Sequence, residues 1–149
     1  HVASRVVELA APPETVWTAI TDVAAMPEWR PDVSSVDTLP SEGGRRRWRE
    51  RGSNGAITFE VVEAVPPSRL VTRIADDELP FGGSWTYLLD PAPGGTRLEI
   101  TENGEVRNPV FRVMSRFVFG HHATIDAYLA ALAGRVRGSA TRAAGPAAP

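Results

Sequence analysis

The side chains that could move a proton near neutral pH are few. His121 and His122 stand side by side, and histidine is the residue whose ordinary titration falls nearest pH 7. His121 falls on an apolar stripe, where an imidazole without a partner would lose about 1–3 kcal/mol. The commoner arrangement there is a core histidine bonded to a carbonyl; the functional one is a general acid or base facing a ligand. His122 falls at the edge of the same stripe. Two carboxylates raise a similar choice. Regular alternation puts Glu50 on the face of Trp48 and Glu102 on the face of Leu98 and Ile100, which would turn both inward, where desolvation raises a carboxyl pKa into a useful range. Asn103-Gly104, however, could mark a bulge, and a slip of one residue moves every side chain to the other face. Solvent-facing carboxylates are therefore the expected arrangement.

Other chemistries lack their residues. There is no cysteine, hence no thiolate nucleophile, disulfide or Cys-ligated zinc. The sequence contains no GxSxG elbow, phosphate-binding GxxxxGK[ST] loop, GxGxxG or HExxH. Adjacent histidines cannot share one helix face, and no carboxylate at helical spacing completes a metal set, so neither metal nor cofactor is expected. The run Arg45-Arg46-Arg47-Trp48-Arg49-Glu50-Arg51 puts Arg47, Arg49 and Arg51 on one face of a strand. A solvated outer face protecting the strand is a commoner use of such a pattern than an anion or RNA site.

These residues must be positioned by an α+β chain. Residues 3–10 alternate as a half-buried strand, with Val7 and Leu9 on one face. Pro12 and Pro13 suit the first turn of a helix whose Val16, Trp17 and Ile20 recur at helical spacing, and Met26-Pro27 breaks that pattern. A short second helical turn, PEWRPDV, follows. Turn signals at 41–44, 52–55, 66–68, 81–83 and 91–95 then divide six strands, 33–39, 45–51, 56–65, 69–75, 84–90 and 96–106. No segment between them is long enough for a parallel crossover, so the sheet of about seven strands is antiparallel. Asn108-Pro109 opens a long helix that Gly134 is expected to stop. Its stripe carries Val110, Met114, Phe117, His121, Ile125, Tyr128 and Leu132, with Arg112, Arg116 and Asp126 opposite. Residues 1–135 read as one domain and 136–149, rich in Ala, Gly and Pro, as a flexible tail.

Composition agrees with one folded domain: 149 residues, 42% hydrophobic and 23% charged. A net charge of -2 supplies no field for phosphate backbones or anionic membranes, so nucleic acid is not an expected partner. No run of about 20 apolar residues could span a membrane, and HVASRVVEL is unlike an export signal. A cytoplasmic protein, monomer or homodimer, is expected.

Four segments resemble the START-like (SRPBCC) superfamily in its bacterial polyketide cyclase/dehydrase-like branch: residues 11–33, PPSRLVTR at 66–73, residues 82–100 and residues 104–132. The resemblance implies a helix-grip fold, a curved antiparallel sheet wrapped around the long C-terminal helix, with two short helices after the first strand. A sheet so curled has more inner surface than one helix covers, leaving a cavity. Alternation then predicts Trp48, Phe59, Trp85 and Tyr87 on its wall, joined by Phe111, Met114, Phe117 and His121 from the helix and Trp29 from the short-helix lid. Such an aromatic lining buries an apolar or ring-containing molecule well. The implied function is binding of a small hydrophobic or aromatic, polyketide- or lipid-like ligand. An alternative implied by the same resemblance is a cofactor-independent cyclase or aromatase, or a related lyase or isomerase, using Tyr87, His121 and Glu102. A co-chaperone-like interaction module is the third, and it requires an exposed apolar patch.

Overall fold

The computed structural model describes residues 1–53, 55–106 and 123–144. Strand β1 (Val2–Leu9) leads into helix α1 (Pro13–Thr21) and a 3-10 helix (Val23–Glu28). Six strands follow: β2 (Val33–Glu42), β3 (Arg45–Gly52), β4 (Gly55–Val65), β5 (Arg69–Ile74), β6 (Phe81–Ala92) and β7 (Gly95–Val106), then helix α2 (Ala123–Ala144). All strand pairs are antiparallel, in the order β1-β7-β6-β5-β4-β3-β2. The chain thus forms a meander whose first strand joins the last.

Local chemistry accounts for the boundaries. Pro13 opens α1, where no backbone donor is missed, and Glu14 sits in its first turn, against the positive end of the helix. Val16 and Ile20 form its buried stripe. The β2–β3 hairpin turns on Gly43 and Gly44, at φ 59° and 77°, the left-handed pair that a two-residue turn demands. On the inner face Leu89 opposes Leu98, and Tyr87 lies between Ile100 and Leu70. With Val16 and Ile20 of α1 and Ile125, Leu129, Leu132 and Val136 of α2, these residues form the main core. A smaller cluster of Val23, Met26, Val33 and Trp48 lies under the 3-10 helix, and Trp29 and Val61 pack against both.

Helix α2 departs from expectation at its end. It continues through Gly134 to Ala144. Nothing lies within 4 Å of where a Gly134 side chain would begin, so Gly134 is an exposed helical residue and no stop. Ala-rich sequence beyond it carries enough helix propensity to extend the element. Among the described residues no helix is long and apolar enough to cross a membrane.

Two glycines fix how the inner layer meets the sheet. A Cβ on Gly95 would stand 1.9 Å from the Leu9 carbonyl oxygen, and one on Gly52 1.9 Å from that of Asp32. At the first corner Thr96 Oγ1 donates to the Ala11 carbonyl at 2.7 Å. Gly95→Ala and Gly52→Ala should each lower unfolding free energy by about 2 kcal/mol or more, through forced backbone displacement. Gly134→Ala should raise it by about 0.5–1 kcal/mol, since the helix gains propensity without a clash. Urea unfolding of the three variants checks this ordering.

Candidate functional site

The pairing registers settle which face each candidate occupies. Trp85 opposes Glu102, Trp48 opposes Phe59, and Glu50 opposes Ile57. Both carboxylates therefore point inward, which corrects the expectation of solvent-facing side chains. The β6–β7 ladder runs unbroken through Asn103 and Gly104, so no slip occurs there. Register shifts fall instead between Val33 and Ser35, between Leu39 and Glu42 and between Val61 and Glu63. Glu50 is only 9% exposed and Trp48 4%.

Each inward carboxylate accepts a hydrogen bond from a tryptophan. Trp48 Nε1 donates to Glu50 Oε2 at 2.9 Å, and Trp85 Nε1 to Glu102 Oε2, also at 2.9 Å. The other Glu102 oxygen lies 3.3 Å from His1 Nε2.

The centre of the site is a residue that sequence reasoning missed. Arg30 follows the 3-10 helix, its amide donating to the Met26 carbonyl at 2.8 Å. Its Nη1 donates to Glu50 Oε1 at 3.1 Å and to Met26 Sδ at 3.5 Å. Its Nη2 and Nε donate to the two oxygens of Asp32 at 2.8 and 3.3 Å. The guanidinium carbon stands 5.2 Å from the centroid of the Tyr128 ring. Burial opposes the Arg30 charge, but Glu50 and Asp32 outweigh it, and its pKa is held above the ordinary value. The available signal was a lone Arg between two prolines, beside Trp29 and within two residues of Glu28 and Asp32.

Tyr128 is the second missed residue, read only as part of the helix stripe. Trp29, Trp85 and Tyr87 pack around it edge-on, at centroid distances of 5.4, 5.2 and 6.1 Å. Trp48 and Phe59 stack apart from these, at 5.7 Å. Trp29, Trp48, Phe59, Trp85 and Tyr87 thus share one face. Phe111, Met114, Phe117 and His121 lie outside the described residues. Two buried polar atoms in the cluster have no hydrogen-bond partner of acceptable geometry: Trp29 Nε1 and the Tyr128 hydroxyl, although the Tyr87 phenol lies beside the latter. Burial pushes the Tyr87 phenol up to about 12, with Tyr128 and Arg30 pulling the other way, and burial likewise drives Tyr128 well above its ordinary value. Both phenols are therefore protonated at neutral pH and able to donate.

Two cavities border α1, and the larger touches none of these rings. One, of about 490 Å³, runs between α1 and β4–β5, with Trp17, Val61, Leu70 and Pro66 in its wall and Arg45 and Arg46 at its rim. The other, of about 200 Å³, lies between α1 and α2 and reaches Trp29. On the outer face, Arg47 pairs with Glu42, Arg49 bonds Thr58 and Arg51 pairs with Asp37, each at 3.1 Å. Arg73 and Arg45 hold the buried Glu60, whose pKa falls chiefly through the Arg73 hydrogen bond. The arginine run is thus a paired outer surface, as its alternation implied.

A seven-stranded antiparallel sheet packed against α1 and α2, its inner face lined with rings around a buried arginine, has the helix-grip fold. The chain belongs to the family described as polyketide cyclase/dehydrase and lipid transport, which it matches over residues 1–137. No curated protein matches it in sequence. Among solved structures it is similar to a protein from Thermus thermophilus (21% identity, 93% of this chain and 99% of that one, TM-score 0.76). It is also similar to a START superfamily protein from Mycobacterium smegmatis (23% identity, 93% and 98%, TM-score 0.69). A third is the Zhui aromatase/cyclase from Streptomyces sp. R1128 (18% identity, 92% and 93%, TM-score 0.74).

Two outcomes test the site's electrostatics. Glu50→Ala leaves Arg30 with Asp32 as its one carboxylate and Trp48 Nε1 without an acceptor, and should cost about 1–3 kcal/mol in urea unfolding. The chain has two tyrosines, both in this cluster. In a spectrophotometric titration of the folded protein, tyrosinate should develop above pH ~11 instead of near pH ~10. Full ionisation near pH ~10, with far-UV circular dichroism intact, would contradict the burial of both phenols.

Proposed function

We propose that this protein binds a small, ring-containing, largely apolar molecule on the inner face of its sheet, between the sheet and the C-terminal helix. The observation that carries this reading is the buried indole N–H of Trp29, which has no partner and is set in a wall of aromatic rings with the Tyr128 phenol. Buried polar groups almost always have partners, so an orphan indole N–H in this wall argues for an outside acceptor. Edge-to-face rings around them supply the flat apolar contact that a ring compound needs. Membership of a family described by polyketide cyclisation and lipid transport supports the same class of ligand.

Catalysis is a second reading, favoured by the protonated Tyr87 phenol and by the fold shared with an aromatase/cyclase. Tyr87 would polarise a ketone oxygen, His121 would move a proton, and Glu102 would hold Trp85 in place and serve as a further acid-base group. Interaction with another protein draws less support. The large exposed apolar side chains among the described residues are Val2 and Val6 on β1 and Val62 and Val65 on β4, which form no single patch.

Thermal-shift screening against fatty acids, polyphenols and polyketide-like aromatics tests the binding reading. A ligand at 100 times its Kd should stabilise the fold by about 2.7 kcal/mol. Tm should then rise by about 2–4 °C per kcal/mol. No shift from any of the three classes would count against it. Should turnover of a bound ketone be found, Tyr87→Phe should slow it by about 10²-fold or more. An unchanged rate would remove Tyr87 from the chemistry.

A further inference from the structure

Among the described residues the inner site carries one guanidinium and more carboxylates than that guanidinium can balance. Arg30 has five N–H groups, and four are already directed at Asp32 (two), Glu50 and Met26 Sδ. A carboxylate ligand is normally gripped by two parallel N–H groups, and Arg30 cannot present them. Glu50 and Asp32 flank the same guanidinium, and Glu102 adds a further negative charge on the same face of the sheet, at Trp85. An incoming anion would lose its water and meet above all the charge of Glu50, the most buried of the three, where little solvent screens it. The donors on offer, by contrast, are neutral groups: the unpartnered indole N–H of Trp29 and the adjoining phenols of Tyr87 and Tyr128. They match the oxygen of a ketone, aldehyde or phenol, which arrives with a small desolvation cost.

We infer that the inner site selects neutral ring compounds carrying a hydrogen-bond-accepting oxygen and rejects the corresponding carboxylates, with Glu50 the residue that sets this preference. The inference rests on the binding reading above and narrows it to a ligand charge class. Glu50 acts in two ways: it occupies the Arg30 N–H groups that would hold a carboxylate, and it supplies the repelling charge. Glu50→Gln keeps the shape and an acceptor for Trp48 Nε1 while removing that charge.

Acetylnaphthalene, naphthoate and methylnaphthalene share one ring system and differ in the group offered. Titration of the full chain by tryptophan fluorescence or calorimetry at pH ~7.5, where naphthoate is fully ionised, should give a Kd for the ketone at least about tenfold below that of naphthoate, or about 1.4 kcal/mol. Glu50→Gln should close most of that gap by strengthening naphthoate binding. Asp32→Asn, at a more exposed carboxylate, should act in the same direction and stands in if Glu50→Gln fails to fold. Trp29→Phe should weaken acetylnaphthalene toward the affinity of methylnaphthalene while leaving methylnaphthalene itself unchanged. Naphthoate binding as tightly as the ketone, or a ketone advantage that survives both carboxylate variants, would overturn the charge selection and leave the binding reading standing. Failure of all three probes to bind would overturn the binding reading, and the selection with it.

Discussion

A buried ion pair that has to be satisfied on every side constrains this structure more than any other contact. Arg30 and Glu50 meet at 3.1 Å with side chains 13% and 11% exposed. Removing two charges from water costs several kcal/mol per ion, and the pair repays that only when the remaining lone pairs and N–H groups are also bonded. The chain meets the requirement from three directions. Asp32 takes two guanidinium N–H groups, Trp48 donates to the second Glu50 oxygen, and the Tyr128 ring lies against the cation. The placement of the 3-10 helix follows from this, because Arg30 must arrive over β3. Gly52 permits that arrival: only a residue without a side chain lets the Asp32 carbonyl come so close to the strand.

The aromatic residues divide into two groups with different consequences. Trp48 and Trp85 spend their indole N–H groups on Glu50 and Glu102, so they make inward carboxylates tolerable in a hydrophobic layer. Trp29 and Tyr128 touch each other and the same core, yet Trp29 Nε1 is left unbonded and the Tyr128 hydroxyl faces only the Tyr87 phenol at poor geometry. A layer built only for stability would have no reason to bury such donors. On the proposed reading, the site is a wall whose carboxylates are satisfied and whose Trp29 N–H is held over for a guest. The family to which the chain belongs is consistent with that use, while sequence identities of 18–23% to the three solved structures carry the fold and no particular ligand.

Much of this was legible in the residues. Period-2 alternation placed Trp48, Phe59, Trp85 and Tyr87 on one face, and the registers agree. Helical spacing gave the stripe of Ile125, Tyr128 and Leu132, all buried, with Asp126 on the exposed side and paired with Arg5. The inward carboxylates were misjudged because alternation alone cannot say whether an Asn-Gly pair bulges; the ladder partner decides, and here Gly83 opposes Gly104 without a slip. Arg30 was invisible for a different reason. It lies in a segment without periodicity, and its partner stands twenty residues away on a strand. Such a pair is created by the tertiary fold and leaves no local pattern. Gly134 misled in the opposite sense, since a stop signal at an open surface position can be overridden by good helix formers beyond it.

The central claim is that Trp29 Nε1 is a donor kept for a ligand, and the indole N–H signals of the four tryptophans report on it directly. In ¹⁵N-labelled protein, with Trp29 assigned by Trp29→Phe, saturation with acetylnaphthalene should move the Trp29 indole proton downfield and protect it from exchange. Trp48 and Trp85, already bonded to carboxylates, should hold their positions. A Trp29 signal that stays fixed and exchanges freely at saturation, or a response centred on Trp48 instead, would contradict the account.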